Sequence, residues 1–375
     1  MHLAILSRAG GAVRPFGSSK DTIMNYAMRL ITFATCCIVA MTSPAWAAKP
    51  FVPGTGQFLA DCSDDFEDSN WSYKLNLPKS SSEQDKHSHP PEGSSNNRLS
   101  HEGALRGTPD VVKRIPTPPD GIQGSTGSLM FATKFSGIPG KVSNKQQQND
   151  LLMKFDRVLG RSIPVSWQPS CTVRVYLPEF ENWEQRSGPS FGMRADCRGK
   201  KPDGSSEPYW PGMFWLYQKA NGKSVPESHA QLTIRSGPRG NDIRSHKVYE
   251  PGWWTMGMSF TADGQVHYYA SPGVDDLTAD DFLASYFPYG NRCLTFNNFF
   301  FNVANMDNGR SWSTSWVIDD PKIFVIPPQG ESVAALYKNR ARTTNRNSTA
   351  QNRPMKQMPS QGSQSASKPR TQSQR

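Results

Sequence analysis

The sequence is poor in the residue patterns that mark common enzyme and metal-binding motifs. It holds six cysteines and seven histidines in 375 residues, without a Cys-x-x-Cys pair of the kind that binds zinc. A phosphate-binding P-loop and a G-x-G-x-x-G dinucleotide fingerprint are both missing. These absences exclude nucleotide chemistry of the P-loop and dinucleotide types and argue against a zinc site.

Long hydrophobic runs are also scarce. The clearest one, Leu30–Met41, has twelve mostly apolar residues, fewer than the roughly 20 that a membrane-spanning helix needs. Arg29 precedes it, and Ala45 and Ala47 follow in the small-x-small pattern of a cleavage site. Residues 1–47 are therefore predicted to be a signal-peptide region, with Met24 as an alternative start. We expect a secreted protein, either extracellular or in the periplasm or cell envelope, without a transmembrane segment in the mature chain.

The formal net charge of +10 is carried by the two ends of the chain. Residues 48–330 hold 29 Lys and Arg against 30 Asp and Glu, so the folded part is almost neutral. Overall charge therefore gives no reason to expect a nucleic-acid partner, and none is expected. Residues 331–375 have a net charge of +8. This basic tail is either a solvated terminus or a segment that contacts anionic polymers.

Four cysteines remain after removal of the signal region: Cys62, Cys171, Cys197 and Cys293. An even number in an oxidising compartment favours two disulfides, with three connectivities. If CTVRVYL and SFGMRADC form an antiparallel hairpin, Cys171 faces Cys197 within disulfide reach. Cys62 is then left to pair with Cys293.

Short apolar runs alternate with clusters of Gly, Pro, Asn and Ser, which is typical of an all-β protein. A Thr261–Gly264 turn (TADG) between two of these runs predicts a hairpin. One short helix is predicted at TADDFLASYF, with Thr278 as its N-cap and Asp281 three residues later. The pattern favours a single two-sheet antiparallel sandwich. Its predicted strands are Ser128–Phe135, Cys171–Leu177, Ser190–Cys197, Gly212–Gln218, Ala230–Ser236, Trp253–Thr261, Gln265–Ser271, Asn297–Val303 and the SWVIDDPKIFV segment.

Composition divides the mature chain into four parts. Residues 48–60 are predicted to be a linker and residues 61–326 the sandwich domain. Within it, residues of about 79–126 are rich in Ser, Asn, Pro, Lys and His and are predicted to be a loop-rich insertion. Residues 327–375 contain few large apolar side chains and are predicted to be a disordered tail.

Three stretches carry a resemblance to a known group of proteins. The start DDFED with its following Trp71, the middle GWWTMGMSFTADGQVHYYASPG and the WVIDD end together resemble the concanavalin A-like lectin/glucanase superfamily, including laminin G-like domains. The resemblance covers roughly residues 61–326 and implies a jelly-roll fold. In such a sandwich the first and last strands pair edge to edge, which would bring the two aspartate-rich stretches together. The resemblance is one of strands and turns, so it speaks for fold more than for function.

Period-2 alternation sorts the candidate ligand-binding side chains onto one face of each strand. Aromatic rings stack on the C–H faces of sugars, while planar polar groups pair with their hydroxyls. If the outward sets share one sheet, they form a sugar-binding surface; the alternative is that the aromatic ones are core and the polar ones merely solvated. The set is Arg174, Tyr176, Trp215, Tyr217, Gln231, Arg235, His267 and Tyr269.

Catalytic signatures are weaker. The hydrolases of this superfamily carry E-x-D-x-x-E, whose outer glutamates are nucleophile and acid/base; it is absent here, and PEFENWE (Pro178–Glu184) does not match it. Sandwich-type polysaccharide lyases neutralise a uronate with Arg and Gln or Asn and move the proton with Tyr or His. The residues that would serve a lyase are Arg174, Gln231, Arg235, His267 and Tyr269, although the contiguous lyase motifs are absent.

A structural calcium ion is the one cofactor we expect. Members of this superfamily often hold Ca²⁺ where the first and last strands meet, and calcium takes carboxylate oxygens. Asp64, Asp65, Glu67 and Asp68 at one end and Asp319 and Asp320 at the other are candidates. Asp65 with Asp320 is favoured; the alternative is that these are solvated edge charges. His87, His89 and His101 in the insertion are not expected to bind metal.

These features leave three hypotheses for function. The favoured one is a secreted, lectin-like sandwich that binds a polysaccharide or a glycan-bearing surface. The alternative is a polysaccharide-degrading enzyme on the same scaffold, either a lyase or a glycoside hydrolase. The third is a structural cell-envelope protein without catalytic activity.

Overall fold

The computed structural model describes residues 48–337, and the predicted signal region and most of the predicted tail lie outside them. Strands account for most of the regular structure in this part of the chain, together with the short α-helix α1 (Phe155–Leu159), helical residues at 334–337 and five single 3₁₀ turns. The strands are β1 (Gln57–Phe58), β2 (Tyr73–Lys74), β3 (Ser94–Ser95), β4 (Ser100–Glu102), β5 (Val111–Ile115), β6 (Ser128–Ala132), β7 (Gln147–Met153), β8 (Ile163–Pro164), β9 (Ser170–Leu177), β10 (Gly188–Lys200), β11 (Ser206–Tyr209), β12 (Gly212–Gln218), β13 (His229–Arg235), β14 (Asp242–Val248), β15 (Gly252–Phe260), β16 (Val266–Pro272), β17 (Phe282–Tyr286), β18 (Arg292–Asn305) and β19 (Trp316–Val325).

The strands form two antiparallel sheets that pack face to face, so the predicted all-β sandwich is confirmed. The eight-stranded sheet has the order β17-β16-β15-β9-β19-β6-β5, with β1 paired to β19. The eleven-stranded sheet has the order β14-β13-β12-β10-β18-β7-β4-β3-β2, with β11 paired to β10 and β8 to β18. All nine predicted strands are present, within a few residues of their predicted bounds.

Alternating side chains from both sheets fill the space between them. Val173 and Val175 of β9 point into this core from one sheet, and Trp215 of β12 enters it from the other. Trp215 packs edge-on against Trp254 of β15 with ring centroids 5.3 Å apart, and Phe191 of β10 packs against Trp316 of β19 at 4.7 Å. These aromatic contacts join the two sheets. The side chains on the opposite face of each strand point away from this core.

The two ends of the described chain meet, as the matching aspartate-rich stretches predicted. Gln57 and Phe58 of β1 pair with Val325 and Phe324 of β19. The Asp64 amide donates to the Pro321 carbonyl at 3.2 Å. Gln57 and Phe58, near the end of the predicted linker, therefore belong to the eight-stranded sheet.

The turn of the central hairpin and the helix cap are present as predicted, but the helix is shorter than predicted. The Gly264 amide donates to the Thr261 carbonyl in the turn between β15 and β16. Thr278 caps the following turn in a capping box with Asp281. The expected helix, however, is only the 3₁₀ turn Ala279–Asp281, because Phe282–Tyr286 continues as β17 and pairs with β16. Sheet pairing prevails over the local helical signal.

The predicted hairpin that would bring Cys171 to Cys197 is wrong. The strand of Cys171, β9, lies between β15 and β19 in one sheet, whereas that of Cys197, β10, lies between β12 and β18 in the other. In the structure Cys62, Cys171, Cys197 and Cys293 are all free, buried thiols. Cys197 and Cys293 lie on neighbouring strands, where Gly199 opposes Cys293. The residue pairing that motivated both disulfides is therefore absent from the fold.

Candidate functional site

A cavity of about 400 Å³ opens on the outer face of the eleven-stranded sheet, and we call it the arginine cavity. Strands β7, β10, β12, β13 and β18 form its floor, and loops from the predicted insertion close one side. Its lining combines three arginines, three carboxylates, two glutamines and a set of aromatic and apolar side chains. They are Glu83, Leu105, Arg106, Gln146, Gln148, Asp150, Pro189, Arg194, Trp210, Phe214, Leu216, Arg235, Asp242, Tyr289 and Phe300.

Arg194 at the floor of this cavity is a buried cation without a carboxylate in ion-pair contact in the described part of the chain. Its side chain is 7 % exposed, and one guanidinium nitrogen donates to the Trp210 carbonyl at 3.1 Å. Its Nε–H has no hydrogen-bond partner among the described residues. Burial lowers the pKa of the guanidinium to about 10, so it stays charged at neutral pH. A buried donor left unsatisfied costs free energy, which an anionic ligand would recover.

The other two arginines of the cavity are already neutralised. Arg106 donates to Glu83 through two nitrogens, and Arg235 donates to Asp242 in the same way. Their positive charge is therefore shared with a carboxylate, whereas that of Arg194 is not. Among the three arginines, Arg194 is therefore the candidate for binding an anion.

Asp150 is a buried acid in the lining of the same cavity. Its Oδ1 accepts from Gln148 Nε2 at 3.1 Å and from Asn302 Nδ2 at 2.6 Å. Burial raises the pKa of the Asp150 carboxyl, and the positive charges of Arg106 and Arg194 partly offset that effect. Amide donors thus hold this carboxylate in place and leave Arg194 available to a ligand.

Aromatic rings form the walls around Arg194. Its guanidinium carbon lies 5.7 Å from the ring centre of Phe214 and 5.5 Å from that of Phe300. Trp210, half-buried, adds a third ring at the edge of the cavity. Flat apolar faces beside hydrogen-bonding groups are the usual composition of a sugar-binding site.

Tyr289 brings a hydroxyl to the same cavity. It lies in the 3₁₀ turn Pro288–Gly290 with φ of 59°, a left-handed conformation that is uncommon for a residue with a large side chain. Its oxygen accepts from Arg235 Nη1 at 2.5 Å, which leaves the phenolic hydrogen free to point elsewhere. The backbone amide of Tyr289 is tied to the Gly237 carbonyl at 2.9 Å. A strained residue held this way is a common feature of functional sites.

Only one of the eight predicted ligand-binding residues, Arg235, lines the arginine cavity. Gln231 faces the same side of the sheet but is buried, and its amide donates to the His246 carbonyl at 2.9 Å. Trp215 and Tyr217 point into the core, with 0 % and 2 % exposure, so the prediction that they face ligand is wrong. Their strand neighbours Phe214 and Leu216 line the cavity instead.

The other four predicted residues lie in the eight-stranded sheet, on its outer face. Arg174 is 4 % exposed and donates to Asp320 and Asp276. His267 is fully buried, with ring nitrogens 2.9 Å from Thr261 Oγ1 and 2.5 Å from Ser285 Oγ. Burial lowers the pKa of His267 to about 4, so the ring is neutral at physiological pH. The two tyrosines pack on neighbouring aromatic rings, Tyr176 on Trp253 and Tyr269 on Phe282. The eight residues therefore lie on two different sheets and do not form one surface.

One cavity residue that was not predicted, Arg194, lies in a recognisable sequence pattern. In SFGMRADC, alternation places Met193, Ala195 and Cys197 on the core face, and hence Arg194 and Asp196 on the other. An arginine in the middle of a buried strand is unusual enough to mark a site. Tyr289 and Trp210 left no comparable signal, because they lie in turns whose position depends on distant strands.

One catalytic sequence motif is present, but the structure does not give it the geometry that catalysis needs. Gly188–Gly192 reads GPSFG, which matches the G-x-S-x-G pattern of serine hydrolases. That pattern needs a sharp turn between a strand and a helix, whereas this stretch lies within β10. Ser190 is buried, and its hydroxyl donates to Thr314 Oγ1 at 3.1 Å. The motif is therefore part of a strand rather than a nucleophile elbow.

A larger hollow of about 520 Å³ lies over the eight-stranded sheet, but its charges are already paired. Asp276 at its wall contacts Arg174, and Lys322 contacts the Asp320 carboxylate at 2.6 Å. The described lining therefore offers a ligand no unpaired cation comparable to Arg194. Because of this difference, the arginine cavity is the better candidate.

One of the predicted calcium ligands, Asp320, belongs to the same ion-pair network. Asp320 Oδ2 lies 3.0 Å from Arg174 Nη1 and also contacts Lys322, so two cations already neutralise this carboxylate. Asp320 has φ of 52° at the register shift between β19 and β9. Among residues 48–337, no group of three or more His, Cys, Asp or Glu side chains is arranged to hold a metal. The calcium site with Asp65 stays a prediction.

Asp319, next to that network, should make stability fall as pH rises from about 4 to 6. Its Oδ2 accepts from Ser125 and Ser128, but burial raises its pKa from 3.8 to about 6. A raised carboxyl pKa means that the folded state binds the proton more tightly, so this contribution is full below pH 4 and is lost above pH 6. The total is on the order of 3 kcal/mol.

Asp319→Asn should remove that part of the pH dependence, and urea unfolding between pH 4 and 7 measures it. The exposed residue Asp280 provides the control, because Asp280→Asn should retain the wild-type dependence. Equal pH dependence in Asp319→Asn and wild type would contradict the prediction.

The fold and the cavity together define a two-sheet β-sandwich with an arginine-lined cavity on its larger sheet. No family model matches the sequence, and no curated protein matches it. Solved structures with a similar fold include a carbohydrate esterase from the Shiga toxin-encoding bacteriophage phi24B, with a TM-score of 0.40, 8 % identity and coverage of 72 % of this chain and 99 % of that one. The marine PL7 alginate lyase AlyA1 from Zobellia galactanivorans has a TM-score of 0.34, 10 % identity and coverage of 68 % and 94 %.

An alginate lyase from Pseudomonas aeruginosa has a TM-score of 0.31, 11 % identity and coverage of 58 % and 86 %. Among residues 48–337, no helix has the length and apolar character needed to cross a bilayer.

Proposed function

We propose that this protein binds an acidic polysaccharide in the arginine cavity. The observation that carries the proposal is Arg194, a buried guanidinium with an unsatisfied Nε–H and without a carboxylate partner in the described residues. A uronate carboxylate would accept a charge-assisted hydrogen bond from it. Glu83 and Asp242 do not form ion pairs with Arg194, because they are already paired with Arg106 and Arg235.

The walls of the cavity favour a sugar over a small inorganic anion. Trp210, Phe214 and Phe300 offer apolar ring faces, and Gln146 and Gln148 offer amides that pair with hydroxyls. These features support a sugar ring that carries a carboxylate.

Binding of polysaccharides to the full chain tests the proposal. The panel contains uronate-containing polymers and a neutral glucan of matched length, at about 0.15 M salt so that surface charges are screened. We expect at least one uronate-containing polymer to bind in a manner that depends on Arg194. The basic tail is present in every variant, so it cannot account for that dependence. Equal binding of acidic and neutral polymers would contradict the proposal.

Cleavage of the bound polymer by β-elimination is the second candidate function, and Tyr289 is the observation that favours it. Its hydroxyl lies in the cavity beside Arg235. In such a reaction a base removes the proton next to the uronate carboxylate, a double bond forms, and the glycosidic C–O bond breaks. The leaving oxygen then takes up a proton. Arg194 would neutralise the carboxylate, and Tyr289 would be both the base that takes this proton and the acid that passes it to the leaving oxygen, so that the proton count balances.

Tyr289→Phe should lower the rate of cleavage about 10²- to 10⁴-fold, because the proton-transfer group is lost. Polymer affinity should change little, because Arg194 and the ring walls remain. The measurement is the rate of appearance of unsaturated sugar in the presence of each uronate polymer. Tyr249→Phe, at a tyrosine that is 46 % exposed, is the matched control and should retain the wild-type rate. If wild type releases no unsaturated sugar from any polymer that it binds, the lyase candidate is excluded and the binding function remains.

Two further predictions from the sequence, the superfamily and the export of the protein, are part of this proposal. We propose membership of the concanavalin A-like superfamily, supported by the sandwich and the β15–β16 hairpin, and export from the cell, supported by the predicted signal region. A lectin-like role without cleavage and the lyase role share the same cavity. The structural cell-envelope role would need no ligand there, and it predicts no Arg194-dependent binding.

A further inference from the structure

A second hollow of about 220 Å³ continues the arginine cavity along the sheet, and we call it the amide hollow. The two share four lining residues: Leu105, Asp150, Trp210 and Phe300. A ligand longer than one sugar would therefore pass from one to the other over the same rings.

The charge of the amide hollow differs from that of the arginine cavity. Asp196 lines it two residues after Arg194 on β10, which corresponds to about 7 Å along a strand. Lys154 is its only lysine or arginine, against the carboxylates of Asp150 and Asp196. This part of the groove is therefore net negative, whereas the neighbouring part presents the unpaired guanidinium.

Asn298 of β18 supplies an independent sign of a ligand. It opposes Asp196 in the sheet and donates Nδ2–H to Asp196 Oδ2 at 3.2 Å. Its side chain is 3 % exposed, yet its Oδ1 has no hydrogen-bond partner among the described residues. A buried amide oxygen of this kind needs a donor, such as a hydroxyl or an amide N–H.

We infer that the groove recognises a polysaccharide in which an acidic sugar over Arg194 is followed by a sugar without a carboxylate over Asp196 and Asn298. This inference rests on the proposed function of the arginine cavity. A second uronate at Asp196 would place two carboxylates together, and like charges at such a contact cost free energy. A neutral or N-acylated amino sugar would instead donate to Asp196 and to Asn298 Oδ1. The substrate class is thus a polymer in which uronic acid is followed by a sugar without a carboxylate, such as an N-acylhexosamine, rather than a homopolymer of uronic acid.

The experiment compares three polymers of equal length on the full chain: a homopolymer of uronic acid, a polymer alternating uronic acid with N-acetylhexosamine, and a neutral glucan. We expect the alternating polymer to bind at least about tenfold more tightly than the homopolymer, because of the like-charge contact. Asp196→Asn keeps an oxygen for Asn298 to donate to and removes the charge, so the homopolymer should gain about tenfold and the preference should disappear. Glu250→Gln, at an exposed carboxylate between β14 and β15, should leave the preference unchanged.

A second variant keeps the test decisive if Asp196→Asn does not fold. Asn298→Ala should weaken binding of the alternating polymer about tenfold through the lost hydrogen bond, with little change for the homopolymer. A contrary result would be that wild type binds both acidic polymers equally and an Arg194 variant binds neither. That result would contradict the preference for the alternating polymer but would support the proposed function. Failure of both acidic polymers to bind would overturn the proposed function itself.

Discussion

Arg194→Met is expected to reduce the affinity for acidic polysaccharide about 10- to 100-fold, the largest effect on binding of any single change in this protein. A hydrogen bond to a charged group contributes about 1.5–3 kcal/mol, which corresponds to that range. Met fills the space between Phe214 and Phe300 without a charge. Because burial of an unpaired guanidinium is itself costly, the variant should be at least as stable as wild type.

Arg194→Lys separates charge from geometry. Lysine keeps the positive charge but lacks the planar fork that matches a carboxylate, so an intermediate loss is expected. Arg198→Gln is the matched control, since Arg198 lies on the same strand, is exposed and donates to Ser206. Isothermal titration with the polymer that wild type binds, and a melting curve for each variant, provide the measurements. Wild-type affinity in folded Arg194→Met would show that the arginine cavity is not the site.

Trp215→Ala is expected to have the largest effect on stability. The side chain is fully buried between the sheets and packs against Trp254, so its removal leaves a cavity in the core. Such truncations cost about 3–5 kcal/mol, and for a domain of this size the melting temperature should fall by roughly 10 °C. Thermal unfolding followed by near-ultraviolet circular dichroism measures the change.

Two further variants distinguish a role of Trp215 in the core from a role in polymer binding. Trp312→Ala, at a tryptophan that is 46 % exposed, should stay within about 0.5 kcal/mol of wild type. Phe214→Ala, on the adjacent position of β12, should weaken polymer binding because its ring lines the arginine cavity. If Trp215→Ala instead abolished binding and left the melting temperature unchanged, the inward orientation of Trp215 would be contradicted.

The position of Trp215 shows where local pattern stops being informative. Alternation in GMFWLYQ separates Met213, Trp215 and Tyr217 from Phe214 and Leu216, but it does not say which set is inside when both are apolar. The answer depends on the rings supplied by β10, β15 and β19, which are close in space and distant in sequence. In CTVRVYL and AQLTIRS one set is polar, and there the inward face was predicted correctly.

The sequence by itself determined nine of the strands and their inward faces where polarity alternates. These features depend on a period of two residues and on turn chemistry, which are local properties of the chain. Only the tertiary structure decided which strands are neighbours. It therefore also decided that Arg174 and His267 lie in a different sheet from Arg235, and that Arg194, Trp210 and Tyr289 meet in one cavity. Strand order depends on contacts between residues far apart in the chain, and side-chain alternation along a single strand carries no information about them.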